Sequence, residues 1–372
     1  MSSITIGKIS TELDKIIPLS WQESYDNAGL LYGNKDVICT GIYVCFDISE
    51  SVVDKAIESN CNLIVSHHPL VFRAMKRFTG KDNVTTTLLK AITNNIALYS
   101  AHTNMDKCLG GVNFRIAQKL GLKNIRVLAP EENYLYKIVT YVPQSHIEQV
   151  RQAMWSAGAG TIGNYDCCSY SSEGNGTFRA QVGCNPFVGE IDKLHTEPEL
   201  RLEMVVPKDK SGRVVAAIHT AHPYEEPAID ILPLANDYEQ LGLGCIGELK
   251  QPITETAMLN YIKDKLNVQY IRHTQTSDRL VARVALCGGS GAEFISQAIR
   301  EKAGIYITAD VKYHDFFNTE NQIVIADIGH FESEQCIKEV FYEQISKNFI
   351  NFAILMAECD KSPVEYSYLT ED

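Results

Sequence analysis

The chain contains no run of eighteen or more apolar residues, so no segment reads as a membrane-spanning helix. It also lacks any C-x-x-C, and its 11 cysteines are an odd number. Several stand inside apolar stretches (Cys45, Cys61, Cys287), where a reduced thiol behaves as a small hydrophobe. This usage argues against a disulfide framework and predicts a reducing, cytoplasmic setting. The opening MSSITIGKISTELDKII lacks the short apolar core of a signal peptide and predicts an amphipathic helix. Positive charge is scarce: 34 Lys and Arg against 46 Asp and Glu leave a net charge of −12. Broad nucleic-acid binding is therefore not expected, because nothing offsets phosphate repulsion. One local exception, Arg73, Lys76, Arg77 and Lys81, is placed to hold a single phosphate ester.

What is present describes a soluble globular protein: 45% hydrophobic and 22% charged residues. A length of 372 residues predicts at least two domains. The first third alternates strand and helix. GIYVCFDIS (41–49) reads as a strand, and ESVVDKAIESN (50–60) as a helix capped by Ser49. CNLIVS (61–66) is a strand, NVTTTLLKAITNN (83–95) a helix, IALYSAH (96–102) a strand, and GVNFRIAQKLGL (111–122) a helix. The last third repeats the scheme in RLVARVALCGGSG (279–291), AEFISQAIREKAG (292–304), IYITAD (305–310), QIVIADIGH (322–330) and SEQCIKEVFYEQISKNF (333–349). Strands joined by single helices imply a mainly parallel sheet covered on both faces. The likeness of the two thirds is one of pattern, and it suggests a duplication.

The middle differs and reads β-α-β-β-α-β, the order of a ferredoxin-like sandwich. The expected fold is therefore α/β: a duplicated α/β domain with a mainly parallel or mixed sheet, residues 1–130 and 241–372, interrupted by a ferredoxin-like insert, residues 131–240. Within the insert, Cys167 and Cys168 read as strand neighbours facing opposite ways. LGLGCIGEL (241–249) brings the chain back.

Open α/β sheets bind ligands beyond the carboxyl ends of their strands. Three strand ends in this chain carry the same chemistry. After 61–66 stand His67 and His68; after 96–100 stand His102 and Asp106; after 322–327 stand His330 and Glu334. Two of these clusters place a carboxylate four residues after a histidine, which a helix would put on one face. A lone histidine at any of these places would more often be a hydrogen-bonded core or loop residue, so the joint pattern carries the reading. Imidazole with carboxylate suits zinc, manganese, iron, cobalt or nickel. The donors are too many for one tetrahedral ion, and a carboxylate can bridge, so two divalent ions per chain are expected. Weaker candidates are CGGSGAEF (287–294), a glycine turn without the P-loop lysine; Asp310 with His314; and the acidic turn of AHPYEEPAID.

The segments SHHPLVF, AHTNMDKCLGGVN, GHFESE, GAGTIGNYDCCSYSSEGNGTFRA and AHPYEEPAID together resemble the NGG-interacting factor 3-like family. Its members are often catalogued as GTP cyclohydrolase I type 2 homologs. The resemblance spans nearly the whole chain. It implies a duplicated α/β domain, a toroidal homohexamer, a dinuclear metal site facing the inner cavity, and a PII- or CutA-like insert. By motif it implies His67, His68, Asp106, His330 and Glu334 as metal ligands, with Glu334 bridging. His102 falls beside them, either supporting the ligands from behind or carrying a proton, and His314 is a further catalytic candidate.

The leading expectation is a metal-dependent hydrolase that attacks an electrophilic carbon or phosphorus of an anionic, nucleotide-like small molecule. In a GTP-cyclohydrolase-type reaction the target is the imidazole carbon of guanine. The rival is a non-catalytic metal-binding or regulatory protein whose insert mediates interactions.

Overall fold

The structure is a computed structural model, and it describes residues 4–277, 279–319 and 321–367. The chain forms two compact units: one comprises the residues up to Pro130 with those from Glu239 onward, the other Glu131–Tyr238.

The first unit holds two sheets. One has the strand order Gly29–Tyr32, Ala97–Ser100, Leu63–Ser66, Ile42–Cys45, Ile354–Met356. Its first strand is antiparallel to its neighbour and the other four are parallel. The second sheet has the order Arg272–His273, Val324–Asp327, Ile305–Ala309, Leu280–Ser290, Tyr238–Thr254, Lys123–Glu131. Again an antiparallel strand precedes three parallel ones. Both sheets thus contain the same four-strand unit in the same order, and the expected repetition of architecture is present in the backbone.

Strand alternation explains how each sheet is buried on two faces. In the first, Ile42, Val44, Leu63, Val65, Ala97 and Tyr99 enter one core cluster, while Tyr43, Cys45, Ile64 and Leu98 enter another. In the second, Val284, Leu286, Ile305, Ile307, Val324 and Ala326 join the same central cluster as the first set. Their neighbours Ala285, Cys287, Tyr306 and Ile325 face a separate one. One core is therefore shared by the two sheets, and helices Ile6–Ile16, Val112–Lys119, Glu255–Leu266 and Ile337–Asn348 contribute to it.

Local signals behave as expected. Ser49 accepts from the Val52 amide and caps helix Glu50–Glu58; Asp82 and Thr85 form a reciprocal capping box at helix Asn83–Thr93. The expected helix 333–349 instead breaks into His330–Glu334 and Ile337–Asn348.

The second unit runs strand Leu135–Pro143, helix Ile147–Ser156, strands Tyr170–Arg179 and Leu194–Pro207, helix Ser211–Ala221, strand Ile229–Leu234. Its sheet is antiparallel, in the order Tyr170–Arg179, Leu194–Pro207, Leu135–Pro143, Ile229–Leu234. Val150, Met154, Val214 and Ile218 from the helices pack on Ile138, Val142, Leu202 and Met204. Cys167 and Cys168 are not strand neighbours: they lie in the connection before Tyr170, and Cys167 adopts a positive φ of 53°. The short polar segment around them closes a turn, which their thiols do not reveal.

The chain leaves the first unit on Lys123–Glu131 and re-enters on Tyr238–Thr254, which are neighbours in the six-stranded sheet. Gly242 stands so close to the exit that a Cβ there would meet the Pro130 Cα at 2.8 Å. Adjacent ends make the middle segment removable. Replacing residues 131–240 by a short Gly/Ser link between Pro130 and Leu241 is expected to leave a folded first unit with an unchanged metal content. Circular dichroism and elemental analysis check this, and an unfolded product would show that the middle segment belongs to the core.

Candidate metal centre

The site is built at strand ends. His67 and His68 follow strand Leu63–Ser66 directly, and Ser66 bonds Ser100 across to the next strand at 2.7 Å, which holds the two ends level. His102 precedes the short helix Thr103–Asp106, which ends on Asp106. His330 opens helix His330–Glu334 and places Glu334 one turn further on the same face. The first two pairs come from one sheet and the third from the other.

These side chains converge. The His330 Nε2 lies 3.0 Å from Glu334 Oε2, the His68 Nε2 lies 3.5 Å from it, and the His67 Nε2 lies 3.8 Å from it. The His67 Nε2 is also 3.5 Å from Asp106 Oδ1, and the Nε2 atoms of His68 and His330 are 3.3 Å apart. Three donor groups result, each with its donor atoms within 4.8 Å of one another: His67, Asp106 and Glu334; His68, His330 and Glu334; His67, His68 and His102. Glu334 is common to the first two groups. Three buried atoms of this cluster, His67 Nε2, Asp106 Oδ1 and Glu334 Oε2, have no hydrogen-bond partner among the described residues. Buried polar atoms are nearly always satisfied, so three orphans facing one another point to a missing shared partner.

Every imidazole is oriented through its other nitrogen. His67 Nδ1 is 3.0 Å from the Ala101 carbonyl oxygen, His68 Nδ1 2.8 Å from Asp47, His102 Nδ1 2.8 Å from Asp26 and His330 Nδ1 2.6 Å from Asp310. An acceptor at Nδ1 fixes each ring with Nε2 directed into the site, so that Nε2 can give up any proton it carries and ligate when a cation binds, the arrangement of a metal-ligating histidine. Phe46, 1% exposed, forms the apolar floor, with its ring 4.5 Å from that of His68 and 5.7 Å from that of His67.

The charges are strongly coupled. Burial acts to lower the His68 pKa, but Asp47 and Glu334 outweigh it and raise it to about 10. Burial acts likewise on His330, and Glu334 and Asp310 raise it to about 9. Burial and the neighbouring Glu334 charge push Asp106 up to about 8. Burial opposes ionisation of Glu334, yet the imidazoles of His330, His67 and His68 hold its carboxyl well below the usual range.

All five expected ligands, with His102, are thus brought together. His314 is not with them: it is exposed, packs beside Tyr313 and Phe317, and joins none of the donor groups among the described residues. Its expected companion Asp310 instead orients His330. The Gly288–Gly289 turn has no free donors for a phosphate, because Gly288 N–H donates to Asn113 Oδ1 and Gly289 N–H to Ser333 Oγ. Its role is to give room: a Cβ on Gly289, at φ +62°, would collide with the Glu334 carboxylate. The acidic turn of AHPYEEPAID lies in the second unit and contributes to no donor group among the described residues. Sequence reasoning missed Asp26 and Asp47 as orienting residues. Asp47 stands two residues beyond strand Ile42–Cys45, a signal that an inspection of every strand end would catch; Asp26 sits in a loop without pattern.

The profile of the family described as Duf34/NIF3 (NGG1p interacting factor 3) matches residues 4–363. A Halalkalibacterium halodurans protein named GTP cyclohydrolase 1 type 2 homolog is 39% identical over 89% of this chain and 89% of its own length. A Bacillus subtilis protein of the same name is 36% identical over 98% of this chain and 99% of its own. Among solved structures, the Bacillus cereus protein related to NIF3 superposes with a TM-score of 0.84 at 35% identity, covering 98% of this chain and all of its own.

Two outcomes test the geometry. Asp310→Asn and Asp47→Asn are expected to weaken divalent-ion binding by about 10- to 100-fold without unfolding the chain, as loss of an orienting partner does; calorimetric titration with zinc checks this. At pH 7 the metal-free site holds protons on His68, His330 and Asp106, whose pKa values of about 10, 9 and 8 all lie above that pH. A cation must displace them, so affinity is expected to rise between pH 6 and 8, with about three protons released per chain into weak buffer. Proton release measured by pH-stat gives the count.

Proposed function

The chain belongs to the DUF34/NIF3 family, and on that footing we propose that it is a dinuclear, divalent-metal-dependent hydrolase of a nucleotide or phosphoester-like small molecule. The observation that carries the reading is the set of orphaned buried atoms, His67 Nε2, Asp106 Oδ1 and Glu334 Oε2. With His68 and His330 they form a nitrogen and oxygen donor set that fits zinc, manganese, iron, cobalt or nickel. One ion would be held by His67, Asp106 and Glu334 and another by His68, His330 and Glu334, the carboxylate being shared. A divalent ion bound there supplies Lewis acidity and brings water within reach of ionisation near neutral pH.

The chain's own residues supply the rest. His102, held at Nδ1 by the ionised Asp26, faces His67 and His68 and is placed to carry a proton. Burial works against the Asp26 charge, but hydrogen bonds from His102 and Thr103 bring its pKa down to about 2, so this anchor stays charged across the working pH range. Arg73, Lys76 and Arg77 are exposed on the loop after His68 and make no ion pair among the described residues, so they remain available to an anionic group. Phe46 keeps water from the floor of the site. The homohexamer, the ferredoxin-like character of the second unit and the cytoplasmic location belong to the same proposal; sedimentation of the purified protein checks the first.

The test is to reconstitute the protein with manganese, zinc, cobalt, nickel or iron and to screen GTP, other nucleotides and simple phosphoesters for product. Two ions per chain are expected, with turnover that requires them. Glu334→Gln is expected to hold less than one ion and to be inactive. His102→Ala is expected to keep its metal and lose about a hundredfold or more in turnover. Two ions bound with no metal-dependent product from any substrate would replace this reading by a non-catalytic metal-binding one.

A further inference from the structure

The second unit contains a cavity of about 620 Å³, within the size range of small-molecule sites. It lies wholly in Glu131–Tyr238, apart from the donor groups described above. Its walls are aromatic. Phe178 and Phe187 flank Tyr224, with ring centroids 6.1 and 6.2 Å from it. Its floor is a carboxylate: Glu199 is only 9% exposed, and the Tyr224 hydroxyl donates to its Oε1 at 2.7 Å. The other oxygen lies over Gly176, where a Cβ would meet the Glu199 Cδ at 2.7 Å; any side chain at 176 would drive the carboxylate out of its place.

The loop bearing Tyr224 is itself locked. His222 Nε2–H donates to the Tyr141 carbonyl at 2.9 Å, and its Nδ1 accepts from the Tyr224 amide at 3.1 Å. Burial lowers the His222 pKa and keeps the ring neutral, as this pattern of one donor and one acceptor requires. The histidine, tyrosine and first glutamate of AHPYEEPAID therefore position the cavity: Glu225 accepts from the Asn185 amide at 2.9 Å.

The electrostatics select the occupant. Glu173, Glu199, Glu225 and Glu226 line the cavity, and the one lining cation among the described residues, Arg201, is paired with Glu203 at 3.0 Å. Such a cavity repels phosphates and carboxylates. Aromatic faces around a carboxylate instead attract positive charge, through the ring quadrupole and by direct pairing. We propose that this cavity binds a small organic cation: an amine or quaternary ammonium joined to an apolar, ring-sized body, with the charge on Glu199 and the body among Phe178, Phe187 and Tyr224.

The test uses the full chain and four probes of similar size in calorimetric titration: phenethylammonium, benzyltrimethylammonium, neutral 2-phenylethanol and the anion 3-phenylpropionate. Both cations are expected to bind, the alcohol at least tenfold more weakly and the anion not at all. Glu199→Gln is expected to weaken the cations at least tenfold and leave the alcohol unchanged. Glu226→Gln changes an exposed residue whose loss does not threaten folding, and is expected to weaken the cations by a smaller factor that vanishes at high salt. Phe178→Ala is expected to weaken cations and alcohol alike. Failure of both cations at millimolar concentration would overturn the proposal, as would equal binding of the anion or cation binding untouched by Glu199→Gln. A shift in oligomeric state on Phe187→Ala without any cation binding would make this face a self-association surface and would equally overturn it.

Discussion

A carboxylate that is 4% exposed cannot stay ionised in a protein interior unless positive charge or strong donors face it. At Glu334 that requirement is met by the Nε2 atoms of His67, His68 and His330. Two of these come from the end of one sheet, while the third stands on Glu334's own helix at the end of the other. The pairing therefore works only if the two sheets are packed with their strand ends level. The shared apolar core supplies that packing, with alternate residues from both sheets in one cluster. The core buries the sheets against one another, and the polar residues just beyond the last buried strand positions meet as a consequence.

The repeat explains why the donors come in similar pairs. Each sheet carries an antiparallel strand followed by three parallel strands in the same spatial order. His102 with Asp106 and His330 with Glu334 stand at equivalent strand ends, the carboxylate four residues after the histidine in each pair. The equivalence is not carried through to roles. His330 turns its Nε2 to the carboxylate four residues on, whereas His102 is held away by Asp26 and leaves Asp106 to His67. At the neighbouring strand end, His67 and His68 in one half correspond to Asp310 in the other, where the acid orients His330. One scaffold, used twice, thus supplies both donor atoms and the partners that orient them from each half.

The two units also divide by charge. In the first, a locally basic loop, Arg73, Lys76 and Arg77, follows the paired histidines of an otherwise acidic chain. In the second, a cavity combines aromatic walls with an excess of carboxylates. Opposite local fields thus stand in one chain, and the net value of −12 reveals neither.

Much of this was legible in the linear chain because it depends on short-range periodicity. Runs such as Leu63-Ile64-Val65 announce doubly buried strands, Ser49 announces a helix start, and histidines at three strand ends announce a shared cluster, although the strand ends belong to two sheets and not one. The spacing of His330 and Glu334 places them on one face of any helix, without knowledge of the fold. Tertiary structure decided the rest. Which nitrogen of each histidine is free depends on Asp26, Asp47, Asp310 and the Ala101 carbonyl, all distant in sequence from at least one partner they serve. Whether Gly288 and Gly289 could receive a phosphate depended on Asn113 and Ser333, which take up their amide protons. His314 and the site residues look alike in sequence, since both follow buried strands; His314 stands exposed on the 3-10 helix Tyr313–Thr319 and joins no donor group among the described residues. The acidic AHPYEEPAID motif was legible as unusual, but its pairing with Phe178, Phe187 and Glu199 required three separate segments to fold onto one another. Residue type and local period select the elements and the chemistry available. The partners that orient a side chain, consume its donors or leave it bare are set by long-range packing, which no local pattern encodes.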